Sequence, residues 1–217
     1  KEILTALKTA IDGHSISGIT TYIIGSTLEI AGTGDFTIAV EGGKAGSALS
    51  AYKDEVNSVA DIAGETIHNR EIKIVNLVAD TGYYAKFKAE DGVSGVGVWE
   101  ETRAFGVDKG LNSATMPHKL YNTAKNAFTF SVIEDTGGIT GVFGTPRLVG
   151  DDDSNSHPSF KGATIQQAFF NNNRLGFLTA DNVSMSKAGD YYNFYFSSAQ
   201  TVTADDPIDL SCSSIRE

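Results

Sequence analysis

Apolar residues recur at helical spacing clearly only at the front of the chain. Ile3, Leu4, Leu7 and Ile11 share one face of Lys1 to Asp12, with Glu2, Lys8 and Thr9 elsewhere and Gly13 as a stop signal, so a short amphipathic helix is expected. Beyond it the pattern shortens to the alternation of strands. Thr21 to Ile24 and Thr27 to Ala31 flank Gly25-Ser26, a pair suited to a primed turn, which predicts a β-hairpin. Phe36 to Val40 reads as a third strand. After the break at Gly42-Gly43, Ala45 to Val59 favours a helix through Ala48, Tyr52 and Val56, against a loop-like content of Gly, Ser and Asp.

From about Ile67 the alternation becomes that of an antiparallel meander. Glu71 to Val78 and Tyr83 to Ala89 bracket Asp80-Thr81-Gly82, and Val98 to Arg103 supplies a further strand. Glu90 to Gly97 and Phe105 to Ser113 are rich in turn residues and are expected as exposed loops. Pro117 to Tyr121 and Ala127 to Val132 form another strand pair. Between Gly137 and His157 periodicity is lost and Gly, Pro and Asp gather, as in a long ordered connector.

Aromatics then crowd the chain, with nine Phe or Tyr between Phe160 and Phe196, enough for an apolar layer of their own. Thr164 to Phe170 fits a strand or a helical turn. Arg174 to Thr179 and Asn182 to Ser186 predict a hairpin across Ala180-Asp181, with Leu175, Phe177, Val183 and Met185 on one face. Asp190 to Phe196 follows as an aromatic strand or turn. The segment Thr164 to Phe196 has the size of one β-propeller blade, whose neighbours would lie beyond Glu217. The expected fold is therefore mainly β with a small α+β front part, as antiparallel meander and hairpins leading into an incomplete propeller-like region. Three parts follow: 1–64 as helix plus hairpin, 65–135 as an antiparallel β unit, and 136–217 as connector and blade-like segment.

Composition adds constraints. Four prolines against 23 glycines suit strands and turns more than helices, and no apolar run approaches the roughly 20 residues of a membrane span. The start at Lys1 lacks an initiator Met and a signal-peptide pattern, so the chain reads as cut from something longer. Cys212 is the one cysteine, which excludes an internal disulfide and any zinc site built on several cysteines. The net charge of −10 divides as −4 over 1–64, −1 over 65–149 and −5 over 150–217. Acidic ends make the chain a poor candidate for gripping DNA, though not for surrounding it.

Candidate chemistry is sparse. Asp151, Asp153 and Asn155 have the one-three-five spacing of calcium-loop ligands, but Ser156 stands where that loop needs Gly and Gly162 where it needs an acid. A solvated or capping loop is the expected reading. His14, His68, His118 and His157 are too dispersed to share a metal by local spacing. Gly13-His14-Ser15-Ile16-Ser17-Gly18 lacks the spacing of a nucleophile elbow, and Gly32-Thr33-Gly34-Asp35 lacks the later glycine of a phosphate loop. Glu100-Glu101, Asp205-Asp206 and Asp209 are the remaining carboxylates from which a glycosidase pair could be drawn. Solvated caps are their expected role. No catalytic, cofactor or metal residue is assigned.

Several motifs nevertheless stand in one order. Gly150-Asp151-Asp152-Asp153-Ser154-Asn155-Ser156-His157-Pro158-Ser159-Phe160 is followed by Asn173-Arg174-Leu175-Gly176-Phe177-Leu178, Asn182-Val183-Ser184-Met185-Ser186, Tyr192-Asn193-Phe194 and Asp205-Asp206-Pro207-Ile208-Asp209. Upstream stand Gly82-Tyr83-Tyr84, Val98-Trp99-Glu100 and Thr115-Met116-Pro117-His118. This set resembles the tail nozzle proteins, or tail tubular proteins B, of podoviruses of the T7-like group, over roughly residues 65 to 217. It departs from the family pattern at Ser156, where proline is usual.

The resemblance implies an internal fragment of a longer structural virion protein of the phage tail, not an enzyme. It implies copies assembled in a ring, usually a hexamer, below an adaptor ring, with tail fibres held outside and a propeller-like region in the subunit. DNA would pass through the channel at ejection without specific binding. The alternative is a tail protein that binds or hydrolyses glycans, because aromatic-rich β surfaces can stack on sugars.

Overall fold

A computed structural model describes residues 2–40, 49–76, 81–134 and 139–212, and the chain divides into two compact units, Lys1–Thr102 and Arg103–Glu217. This division falls within the segment 65–135. Among the described residues the architecture is mainly β, as expected, with one α-helix, at the front. Among the described residues no helix is long and apolar enough to cross a membrane.

In the first unit, helix α1 (Glu2–Gly13) precedes a hairpin of β1 (Ile19–Ile24) and β2 (Thr27–Gly32). Gly25 holds the turn at φ 55°, a left-handed conformation that glycine adopts without steric cost. Leu4 is the buried residue of the helix. Lys8 bonds both Asp12 and Thr21, and the Thr21 hydroxyl donates to Asp12, which fastens helix to strand.

The expected strand Phe36 to Val40 does not form; Phe36 instead turns back against Gly32, whose missing side chain makes room for its ring. Nor is there a helix over the described part of Ala45 to Val59, of which 45–48 lie outside the described residues. Its apolar positions serve a sheet edge: β3 (Glu55–Val56) runs parallel to β5 (Glu71–Asn76) and buries Val56. A second unanticipated strand, β4 (Glu65–Ile67), pairs with β7 (Ser94–Thr102). With β6 (Thr81–Ala89) these make a five-stranded sheet in the order β3-β5-β6-β7-β4. The turn expected at Asp80-Thr81-Gly82 falls partly outside the described residues, and β6 already includes Thr81. The loop expected over Glu90 to Gly97 is shorter than its composition suggests, because β7 starts at Ser94.

Alternation sorts this sheet cleanly. Ile72, Ile74, Ala85, Phe87 and Ala89 are buried, whereas Lys86 and Lys88 point outward to Glu71 and Glu100 at 2.7 and 3.3 Å. Trp99 meets Phe87 edge-on at 5.2 Å, and its indole N–H donates to Ala63 O at 2.8 Å.

The second unit opens with a hairpin of β8 (Lys119–Ala124) and β9 (Ala127–Ser131). A long irregular stretch leads to a four-stranded antiparallel meander of β10 (Gln167–Asn171), β11 (Arg174–Leu178), β12 (Asn182–Met185) and β13 (Ile208–Ser211), in consecutive order. This is the blade-like sheet, displaced toward the C-terminus. Asp190 to Phe196 is a run of turns, and Ile208–Ser211 supplies the fourth strand. The hairpin register pairs Leu178 with Val183 and Phe177 with Ser184. Leu175 and Phe177 therefore share a face with Ser184, and Val183 and Met185 lie on the opposite one, contrary to the single face expected. The cause is the two-residue turn Ala180-Asp181 itself: Thr179 N donates to Asn182 O, and pairing counted back from that bond sets each odd-numbered residue of β11 opposite an even-numbered one of β12.

The core of this unit gathers Leu111, Ile133, Phe143, Phe160, Leu175, Phe177 and Phe194. Phe160 stands edge-on to Phe177 and Phe194 at 5.2 and 5.0 Å, the geometry favoured by aromatic quadrupoles.

One position tests the packing of the first sheet. A Cβ on Gly97 would lie 2.2 Å from Lys88 O and 2.7 Å from the Phe87 ring. Gly97→Ala is expected to destabilise the protein by about 1–3 kcal/mol, the usual cost of overpacking, measured by urea unfolding. An unchanged midpoint would contradict the packing described.

Candidate functional site

The polar side chains expected as connector or cap converge on two buried arginines of the second unit. Arg147 is fully buried without regular secondary structure around it. Its Nε and Nη2 donate to Asp108 O at 3.1 and 2.8 Å. Nη1 faces Asp152 Oδ1 at 2.7 Å and the carbonyls of Asn155 and Asp151 at 3.1 and 3.3 Å. The guanidinium also lies 5.9 Å from the centre of the Tyr195 ring. A buried cation is tolerated only when its N–H groups are satisfied, and here loop carbonyls do most of that. Three separated stretches of chain, around 108, 151–155 and 195, are thereby held to one group.

Asn155, 1 % exposed, closes the same knot from the other side. Its amide donates to Val149 O and Phe196 O at 2.9 and 3.2 Å, and its Oδ1 accepts from Phe196 N at 2.9 Å. Asp151 Oδ1 accepts from the amides of Asp153 and Ser154 and from the Ser154 hydroxyl. Gly150, at φ 75°, lies so close to Ser154 and Asn155 that a side chain would collide with both. The calcium-like spacing thus has a turn-forming explanation: Asp151 shapes the bend and Asn155 latches it to Phe196. Among the described residues no group of three His, Cys, Asp or Glu side chains is placed to hold a metal.

Arg174 forms the second clamp. Nη1 donates to the carbonyls of Ser186 and Asp206 at 2.6 and 2.7 Å, and Nη2 to Ala204 O at 2.6 Å. Asp206, even more deeply buried, accepts from Ser197 N and from both the amide and hydroxyl of Thr203. Burial pushes its carboxyl up, but these donors outweigh it and hold the group below the ordinary carboxylate range. Asp209 accepts from Ser159 N at 2.6 Å and from the Ser159 and Ser184 hydroxyls at 2.5 and 2.9 Å.

Three of the acids drawn from the sequence are engaged by other side chains or by loop amides. Glu100 lies on the outer face of β7 against Lys88, while Asp206 and Asp209 are engaged by their own loops. Gly13 to Gly18 is the turn that ends α1, with Ser15 at φ 49°. Thr33 N donates to Gly18 O, and the chain after Gly34 is irregular. His14 is exposed, His68 accepts from Ala89 N, and His118 stacks on Phe130.

His157 alone among the histidines belongs to the Arg147 cluster. Its Nδ1 shares a 2.7 Å hydrogen bond with the Tyr195 hydroxyl, and Asp108 lies 4.0 Å from Nε2. Burial, then Lys161 and Arg147, depress its pKa, with Asp152 and Asp108 opposing. Burial also pushes the Tyr195 hydroxyl far above its usual range, and the Arg147 hydrogen bond holds Asp152 below its own. The fold thus favours the neutral imidazole. Its stabilising contribution is complete above the unfolded value of about 6.5 and is lost as pH falls through the lower folded value. The unfolding midpoint should drop as pH falls below about 6.5, and His157→Phe should flatten that drop. Identical pH profiles for the two proteins would contradict this arrangement.

Neither arginine stands out in the sequence as an organising group. A signal exists for Arg174, which follows two asparagines suited to a tight turn; Asn172 and Asn173 adopt φ 47° and 59°. Along Asn173-Arg174-Leu175-Gly176-Phe177 the positions then serve in turn as bend, clamp, core, a gap filled by the Phe169 ring, and core again. Comparison with known proteins places these motifs. Tail tubular protein gp12 of Escherichia phage T7 is 35 % identical over 148 residues, which are 66 % of this chain and 17 % of that protein, so the matched stretch is a small part of the relative's length. The model of the bacteriophage nozzle protein family matches residues 1–217, from the front helix through the arginine clamps and the blade-like sheet, and the chain belongs to that family.

Proposed function

We propose that this chain is part of a structural subunit of a phage tail nozzle, a ring enclosing the channel through which the genome leaves the virion. The adaptor ring and the tail fibres are its neighbours. The observation that carries this reading is the family match over the whole chain. It is supported by the use of the polar side chains. Arg147, Asn155, Arg174, Asp206 and Asp209 are engaged with the protein's own loops and hydroxyls, as in a part that works through its shape. The acidic balance fits a wall that repels phosphate, so that DNA passes without being held.

A glycan-hydrolysing tail protein would need two carboxylates facing each other at glycosidase distances. Asp206 is closed in by Ser197 and Thr203, and Asp209 by Ser159 and Ser184. Electron microscopy of the full-length protein is expected to show rings with a central channel. A reducing-sugar assay on host polysaccharide is expected to show no turnover. Sugar release abolished by Asp205→Ala or Asp206→Ala, from particles without a channel, would overturn the proposal.

A further inference from the structure

The hairpin β8–β9 has an apolar face with nothing described upon it. Its register sets Leu120 directly opposite Phe130, and Asn122 opposite Phe128. These cross-strand positions put Leu120, Phe128 and Phe130 on the same side of the ribbon. They are 66 %, 65 % and 69 % exposed. His118 stacks on Phe130 at 5.0 Å and extends the patch. Among the described residues neither β8 nor β9 pairs with any other strand. A lone two-stranded ribbon is marginally stable in water, and exposed rings side by side add an unfavourable surface.

Charge narrows what could cover it. From Leu111 to Ile133 there is no acidic residue, while Lys119 and Lys125 both lie in the hairpin segment. This stretch therefore carries +2 and the remainder of the chain −12. Lys125 lies exposed in the turn at the end of this face, whereas Lys119 lies on the opposite face with its Nζ over the Tyr121 ring; a ribbon of this charge is complementary to an acidic protein, and the remainder of this chain is acidic. The three exposed side chains offer on the order of 400 Å² of apolar area, about half of what one partner gives to a standard interface. That is too little for a stand-alone dimer and suits one element of a contact repeated around a ring.

We infer that the β8–β9 hairpin docks on a second copy of this chain, Leu120, Phe128 and Phe130 covered by the neighbour and Lys125 facing its acidic groups. The inference rests on the ring assembly proposed above, and its test separates the two. Full-length protein, Phe128→Ser/Phe130→Ser and Lys125→Glu are compared by analytical ultracentrifugation and negative-stain microscopy. The charge variant keeps the apolar face and guards against misfolding of the first. Phe128→Ser/Phe130→Ser is expected to weaken assembly about tenfold or more, as loss of central interface anchors does, Lys125→Glu to weaken it by a smaller factor, and the wild type should weaken as salt rises. Rings formed equally well by wild type and both variants would overturn the hairpin inference and leave the ring standing. A wild type that never assembles would overturn both. Unaltered assembly with variant-sensitive binding to phosphatidylglycerol vesicles would assign the face to a membrane instead.

Discussion

A guanidinium buried without solvent needs acceptors for its five N–H groups, and that requirement organises the part of this chain that has the fewest strands. Arg147 has no sheet around it. Its acceptors are the carbonyls of Asp108, Asp151 and Asn155 and the carboxylate of Asp152, so the loops have to converge for the charge to be tolerated. Asn155 adds bonds from the same knot to Val149 and Phe196. Removing the arginine would leave several carbonyls facing each other without donors, which is why a polar centre of this kind fixes geometry more sharply than apolar contact alone.

The aromatic core lies against these clamps and depends on them. Phe160 follows the Asp151 turn and Phe194 precedes the residues that Asn155 binds, and the two rings meet Phe177 of β11. Arg174 does for the end of the meander what Arg147 does for its approach, gathering carbonyls at 186 and 204–206 so that β13 returns beside β12. For a tail component whose proposed work is to keep a channel's shape, loops fixed by internal hydrogen bonds are a suitable construction. They leave the surface to partners, and the basic, apolar hairpin β8–β9 is the clearest such surface.

The elements legible in the sequence are those set by local periodicity: α1, the β1–β2 hairpin, β5, β6, the latter half of β7, and the pairs β8–β9 and β11–β12. What periodicity misses is set at long range. Val56 and Glu65 to Ile67 belong to edges whose partners lie well along the chain, and no pattern of two or three residues announces such a strand. Val183 and Met185 lie on the face opposite to the one expected, because alternation within each strand does not fix which faces match across a hairpin; the two-residue turn Ala180-Asp181 does, by pairing Leu178 with Val183. The acidic run at 151–153 is legible as a turn. Its buried partner Arg147 is not, because an arginine among Gly, Pro and Asp looks like any solvated loop residue until the fold closes over it.

If the arginine clamps organise the second unit, its loops belong to the cooperative core. Native-state hydrogen exchange on the amides of Asn155, Phe196, Ser197 and Thr203 tests this most directly, since each donates within the clamped region. These amides should exchange together with those of β11, through opening of the whole unit. Exchange at the rate of unstructured chain while β11 stays protected would contradict the organising role of the clamps.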